Sequence, residues 1–138
     1  MLMALPPGPL SAPPIHTVEC LLPSVPAAVG EARSLIRAEL VRWGRGHEAD
    51  DCLVIVSELA TNAVRYGGSA YALRLEDRGD RLYGEVFDPG EGEPRPRSPD
   101  VESLSGRGLQ IVAALADEWG VTAARGGKAV WFFVGRTA

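Results

Sequence analysis

The sequence predicts an α+β fold: a two-layer α/β sandwich with helices on one face of a mixed, mostly antiparallel sheet. Three observations point there. Two long stretches in the first half carry apolar residues at helical spacing. Segments with period-two alternation follow in pairs, joined by short turns rich in Gly, Asp and Arg. The elements run in the order β-α-α-β-β-loop-α-β-β, with no internal repeat.

The first strand spans Ile15 to Leu22 and stops at Pro23, which suits a sheet edge. A helix then opens at Ser24 or Val25, with Pro26 tolerated in its first turn. Val29, Ala32, Leu35, Ile36, Leu40 and Trp43 keep helical spacing until Gly44 and Gly46 stop it. Leu35 and Trp43 are read as core, with contact to another chain as the alternative. A second helix is predicted from about Glu48 to Tyr66, capped by Gly67-Gly68. Its early acids, Glu48, Asp50 and Asp51, suit the positive end of the helix dipole. Tyr71 to Glu76 and Arg81 to Phe87 alternate around Asp77-Arg-Gly-Asp80, the pattern of a β-hairpin. An irregular stretch follows from Asp88 to Ser105, and loops of that length inside a domain are usually functional or disordered. A helix from about Arg107 to Glu118 and two strands, near Trp119 to Ala124 and Ala129 to Val134, complete the chain.

A length of 138 residues suits one domain. With 46% apolar and 23% charged residues, the composition is that of a globular chain able to bury a core. A net charge of −4 argues against a nucleic-acid surface, which calls for a basic face. Thirteen Arg against one Lys is the skew of a GC-rich bacterial genome. Cys20 and Cys52 read as free thiols, because two cysteines make no disulfide framework. His16 and His47 have no partners at metal-ligand spacing. Residues 1–14 carry five prolines and no Lys or Arg, which reads as a disordered Pro-rich leader rather than a signal peptide. The folded domain is then 15–138, and with no membrane-length apolar run a cytoplasmic location is expected.

Three motifs carry chemistry. On the second helix, Cys52, Ile55, Val56, Leu59 and Ala63 share one face, and Glu58, Asn62 and Arg65 fall on its flank. Glu58 and Asn62 stand at i, i+4, where a carboxylate can take a proton and an amide oxygen can bind a hard cation such as Mg²⁺. Asp88-Pro-Gly-Glu-Gly92 directly follows a strand; its glycines admit a ligand to the backbone, and its Asp can accept a hydrogen bond from an exocyclic amine. Ser105-Gly-Arg-Gly108 opens a helix, where free N–H groups favour an anion. Neither the Rossmann fingerprint nor the P-loop is met: Ile111 stands where the former needs Gly, and no Gly-Lys-Ser/Thr occurs.

Taken in order, Glu58-Leu-Ala-Thr-Asn62-Ala63, Asp88-x-Gly90-x-Gly92, a proline-rich segment and Gly106-Arg-Gly108-Leu109 resemble the N, G1 and G2 boxes of GHKL ATP-binding domains. The resemblance covers roughly Val18 to Val134. Within that superfamily, the run from Val56 to Gly67 is similar to the anti-sigma-factor serine kinases, small stand-alone histidine-kinase-like ATPase domains common in actinobacteria. The resemblance implies the Bergerat ATP-binding fold, with ATP and Mg²⁺ as cofactors. Asn62 would hold the Mg²⁺, Glu58 would be the general base, and Arg65 would reach toward phosphate. Tyr66 would lie beside the nucleoside and Asp88 would bind the adenine amine. Gly90 and Gly92 would shape the adenine loop, residues from about Glu93 to Ser105 would form a lid, and Gly106, Arg107, Gly108 and Leu109 would line the phosphates.

The implied partners are a sigma factor and an anti-anti-sigma (STAS-type) protein, with no nucleic acid and no membrane; a homodimer is left open. One departure stands out. Relatives of the sporulation type often carry an arginine just before the Ser-Gly-x-Gly run, and here that place is Leu104. Two functions therefore stay open: a serine/threonine-protein kinase regulating transcription through protein partners, and an ATP-responsive binding module that transfers nothing. The chain has no phosphotransfer helix bearing a substrate histidine.

Overall fold

The computed structural model describes residues 13–64, 70–89, 109–124 and 126–135. Strand β1 (His16–Leu22) leads into helix α1 (Pro26–Arg42), a 3-10 turn (Gly46–Glu48) and helix α2 (Ala49–Asn62). Strands β2 (Tyr71–Asp77) and β3 (Leu82–Asp88) follow, then helix α3 (Leu109–Leu115) and strands β4 (Glu118–Ala124) and β5 (Gly127–Val134). The five strands form one sheet in the order β1-β2-β3-β5-β4. All four ladders are antiparallel. The mixed sheet expected from sequence is thus antiparallel throughout, while the α+β class stands.

The helices share one face because their apolar stripes do. Ala28, Ala32, Ile36 and Leu40 bury one side of α1 at i, i+4 spacing. On α2 the stripe is wider than the sequence suggested, with Ala49, Leu53 and Ala60 buried beside Cys52, Ile55, Val56 and Leu59. Both stripes join Tyr71, Leu73, Leu75, Leu82, Val86, Phe132 and Val134 of the sheet in one core. Of the two α1 residues read as core, Trp43 packs against it and stacks on His16 at 5.3 Å. Leu35 is instead 41% exposed, because it falls outside the Ile36–Leu40 row.

The other face of the sheet holds a second apolar cluster. Tyr83, Trp131 and Phe133 are each 4–6% exposed, and Phe133 lies edge-on to Trp131 and tilted to Tyr83. The polar ends are satisfied: the Tyr83 hydroxyl donates to Glu85 at 2.6 Å and the Trp131 indole to Thr122 at 3.1 Å. The Arg81 guanidinium sits 4.0 Å over the Phe133 ring.

One end of the sheet is clamped by charge. Arg45, in the link between α1 and α2, donates to Glu48 at 3.0 Å and to Asp77 at 3.0 Å, and also reaches the Gly79 carbonyl. Asp77 in turn accepts from the Gly79 amide at 3.0 Å, closing the β2–β3 turn. Burial works to lower the Arg45 pKa, but the hydrogen bonds with Glu48 and Asp77 outweigh it and hold it above the ordinary value.

Several boundaries shift by one to a few residues, the second helix among them, which ends at Asn62 rather than Tyr66. The third helix ends at Leu115 rather than near Glu118, because the Asp117 amide bonds to the Phe133 carbonyl at 2.8 Å and Glu118 already pairs with Phe133. Strand β5 begins at Gly127, so half of the expected Arg125–Lys128 turn is strand. The leader over residues 1–12 and the Gly67-Gly68 cap lie outside the described residues. Among the described residues, no helix is long and apolar enough to cross a membrane.

Two outcomes test this packing. Asp77→Ala leaves a largely buried Arg45 short of one partner, and urea unfolding is expected to show a loss of about 3 kcal/mol. Cys52 is fully buried, and burial foremost, then Glu48 and Asp51, push its thiol from the ordinary 9.0 up to about 12. Its contribution is present below pH 9 and is lost as pH climbs toward 12, since only the unfolded thiol ionises in that window. A thiol reagent at pH 8 should therefore modify Cys52 only after denaturation; labelling of the native protein at the denatured rate would contradict this packing.

Candidate functional site

The strand order and the Arg45 clamp orient the molecule. Glu48, just before α2, sits by Asp77 through the shared Arg45, so α2 starts at the Asp77 end of the sheet. Its other end, Asn62, therefore lies over the opposite end, where β2 starts at Tyr71 and β3 finishes at Asp88. Helix α3 packs against α2 and β4. It runs into β4 at Glu118, back at the Asp77 end, so the helix starts, at Leu109, toward the Tyr71–Asp88 end. Chain direction alone thus gathers Asn62, Asp88 and Leu109 at one end of the sandwich.

Side-chain phase places Asp88 on the helix-facing side of the sheet. Leu82, Val86 and Asp88 alternate with Tyr83, Glu85 and Phe87, and the first two belong to the main core. Asp88 is therefore half-buried under the helices, in register with Lys128 of β5. Glu58 and Asn62 are both half-buried on the flank of the α2 stripe, one helical turn apart. The Ser24 hydroxyl donates to the Val64 carbonyl at 3.4 Å, tying the β1–α1 corner to the far end of this helix.

Among the described residues, five buried side-chain polar atoms have no hydrogen-bond partner: those of Ser57, Asn62, Tyr71, Arg74 and Glu76, of which Asn62 and Tyr71 lie at this end. The Asn62 atom is the amide nitrogen, and those of Ser57 and Tyr71 are the hydroxyls. Tyr71 has no exposed surface at all, and burial raises its phenol pKa, with Cys20 adding to the effect. A buried unsatisfied donor typically costs about 1–3 kcal/mol. Such a cost is commonly met at sites where a ligand completes the hydrogen bonding. The donor set fits a nucleotide with Mg²⁺: an amide with capacity to spare, a carboxylate one turn away and a second carboxylate at a strand end.

Glu58, Asn62, Asp88 and Leu109 are thus brought toward one end of the fold. Arg65, Tyr66, Gly90, Gly92, Gly106, Arg107 and Gly108, with the Glu93 to Ser105 lid, lie outside the described residues. Sequence reasoning missed Tyr71 and Gly127. The first was read only as the start of a strand and the second only as part of a turn. A Cβ on Gly127 would lie 2.6 Å from the Pro89 Cα, against backbone that no rotamer change can move. Nothing in a Gly-Gly pair distinguishes that constraint from turn chemistry. Among the described residues there is no cluster of His, Cys, Asp and Glu able to hold a metal by itself.

An antiparallel α+β sandwich gathers amide and carboxylate chemistry at one end of its sheet, the chemistry of a ligand-binding domain. Residues 22–134 match the histidine kinase-like ATPase domain, and the chain belongs to that family. Domains of this family bind ATP, usually with Mg²⁺. Compared with curated proteins, the chain has no match.

The orphaned amide yields a prediction. Asn62→Ala removes an unsatisfied donor and only a half-buried side chain, so the urea midpoint should stay level or rise. Ile55→Ala, fully buried on the same helix, should cost about 2–5 kcal/mol. A comparable loss in both variants would make Asn62 a structural residue.

Proposed function

We propose that this chain is an ATP-binding serine-protein kinase of the anti-sigma-factor kind, acting in the cytoplasm on protein partners. The observation that carries the reading is the Glu58–Asn62 pair: one turn apart on α2, both half-buried, with the Asn62 nitrogen lacking any described partner. When bound, ATP supplies the phosphoryl group and Mg²⁺ neutralises its charge. Asn62 offers an amide oxygen to the cation. Asp88 accepts a hydrogen bond from the adenine amine. Glu58 holds the partner's serine hydroxyl in line and takes its proton at a carboxylate oxygen. A sigma factor and a STAS-type antagonist are the proposed partners, resting on the resemblance of the Val56 to Gly67 run.

Leu104 supports a second reading. An arginine before the Ser-Gly-x-Gly run would add positive charge near the phosphates, and leucine cannot. A domain so built can bind ATP and sequester a partner without transferring phosphate.

Label transfer from γ-labelled ATP to a co-purified partner separates the two. Glu58→Gln is expected to lower transfer at least about a hundredfold while ATP affinity stays within about twofold. Equal loss of binding and transfer would remove Glu58 from the role of base. Tight ATP binding with neither transfer nor hydrolysis in the wild-type chain would establish the binding module instead.

A further inference from the structure

Two adjacent glycines open β5, and they do different things. Gly126 has φ +78, the left-handed conformation that turns β4 back into β5, and a Cβ there would meet nothing within 4 Å. Gly127 has no such φ, but its missing side chain is what lets another strand pass. A Cβ on Gly127 would collide with the Asp88 carbonyl oxygen and would lie 2.6 Å from the Pro89 Cα and 2.9 Å from the Asp88 carbonyl carbon.

The register explains the closeness. Lys128 pairs with Asp88 in the last rung of the β3–β5 ladder, and Gly127 stands one step past it. Pro89 has no N–H to continue the ladder and a fixed φ, so the chain leaves the sheet there, over the start of β5. The space a Cβ would need is occupied by the backbone of Asp88 and Pro89.

We propose that Gly127 is a positioning residue for the nucleotide base: its lack of a side chain sets where the Asp88–Pro89 backbone lies, and with it the Asp88 carboxylate that accepts from the adenine amine. The inference rests on the reading of Asp88 as the amine acceptor and adds the residue that aims it. Ordinary carbon–carbon contact is about 3.5–4.0 Å, so an alanine at 127 drives the Pro89 backbone off by about 1 Å. Hydrogen bonds tolerate far less than that before they weaken steeply. The displacement falls next to the acceptor itself.

The test is titration calorimetry on the full chain with Mg²⁺ and either ATP or purine riboside triphosphate, which lacks only the 6-amino group. The wild-type chain should prefer ATP about tenfold or more, the scale of one hydrogen bond to a charged acceptor. Gly127→Ala should bring that preference to within about twofold of unity, leaving affinity for the amine-free analogue within about threefold. Gly126→Ala strains the turn without crowding Asp88, so it should lower the melting temperature and keep the preference. Asp88→Ala should lose it. If Asp88→Ala loses the preference and Gly127→Ala keeps it, the positioning role is overturned and the Asp88 reading survives. If Asp88→Ala keeps the preference, the Asp88 reading fails and the inference with it. A Gly127→Ala chain without native circular dichroism, or one that loses both nucleotides equally, would make Gly127 a fold determinant and overturn the proposal. So would loss of the preference in Gly126→Ala.

Discussion

Helix α2 buries Cys52, Ile55, Val56 and Leu59 against the inner face of the sheet, and that contact decides where every polar group on the helix points. Each such side chain is worth roughly 1.5–3 kcal/mol when fully buried. An orphaned donor costs about 1–3 kcal/mol. The apolar stripe therefore outweighs the cost of a polar flank several times over, and Asn62 is held half-buried with its amide nitrogen lacking a partner among the described residues. Were the stripe narrower, the helix could roll until the amide reached water. The additional burial of Ala49, Leu53 and Ala60 removes that freedom.

The two ends of the sheet are built by opposite rules. At the Asp77 end the buried charges are matched: Arg45 meets Glu48, Asp77 and a backbone carbonyl, and Asp77 also takes the Gly79 amide. Removing Asp77 takes two hydrogen bonds from this cluster, those from Arg45 and from the Gly79 amide, so this end favours a single arrangement. At the Tyr71–Asp88 end, Tyr71 has no exposed surface, yet its hydroxyl has no partner among the described residues, and the Asn62 nitrogen has none either. Matched charge anchors the start of α2, and that anchor orients the far end, where hydrogen-bonding capacity is left over.

Much of this was legible in the sequence, and the rest was hidden for physical reasons. Periodicity exposed both long helices and the Asp77–Asp80 hairpin, because the buried stripe of α1 and the alternation of β2 and β3 are local patterns. Glu58 and Asn62 could be placed on the α2 flank from angular spacing alone. The end of α3 could not, since what stops it is a bond from Asp117 to Phe133, a residue sixteen positions on. The burial of Tyr83, Trp131 and Phe133 on the second face was equally invisible, because alternation predicts which side a residue takes and not what lies on that side. Gly127 is the sharpest case: its neighbour in space, Pro89, is distant in sequence, and the signal is the absence of an atom.

On the proposed reading, binding and transfer would draw on different properties of the same helix. Asn62 carries a chemical mark, a buried amide nitrogen with no hydrogen-bond partner among the described residues, a donor that a ligand oxygen can complete. Glu58 carries a positional one: it stands on the same flank one turn earlier, half-buried, where a carboxylate keeps contact with water. The single turn between them lets one apolar stripe hold both residues half-buried on the same flank, and rolling the helix would move the two together.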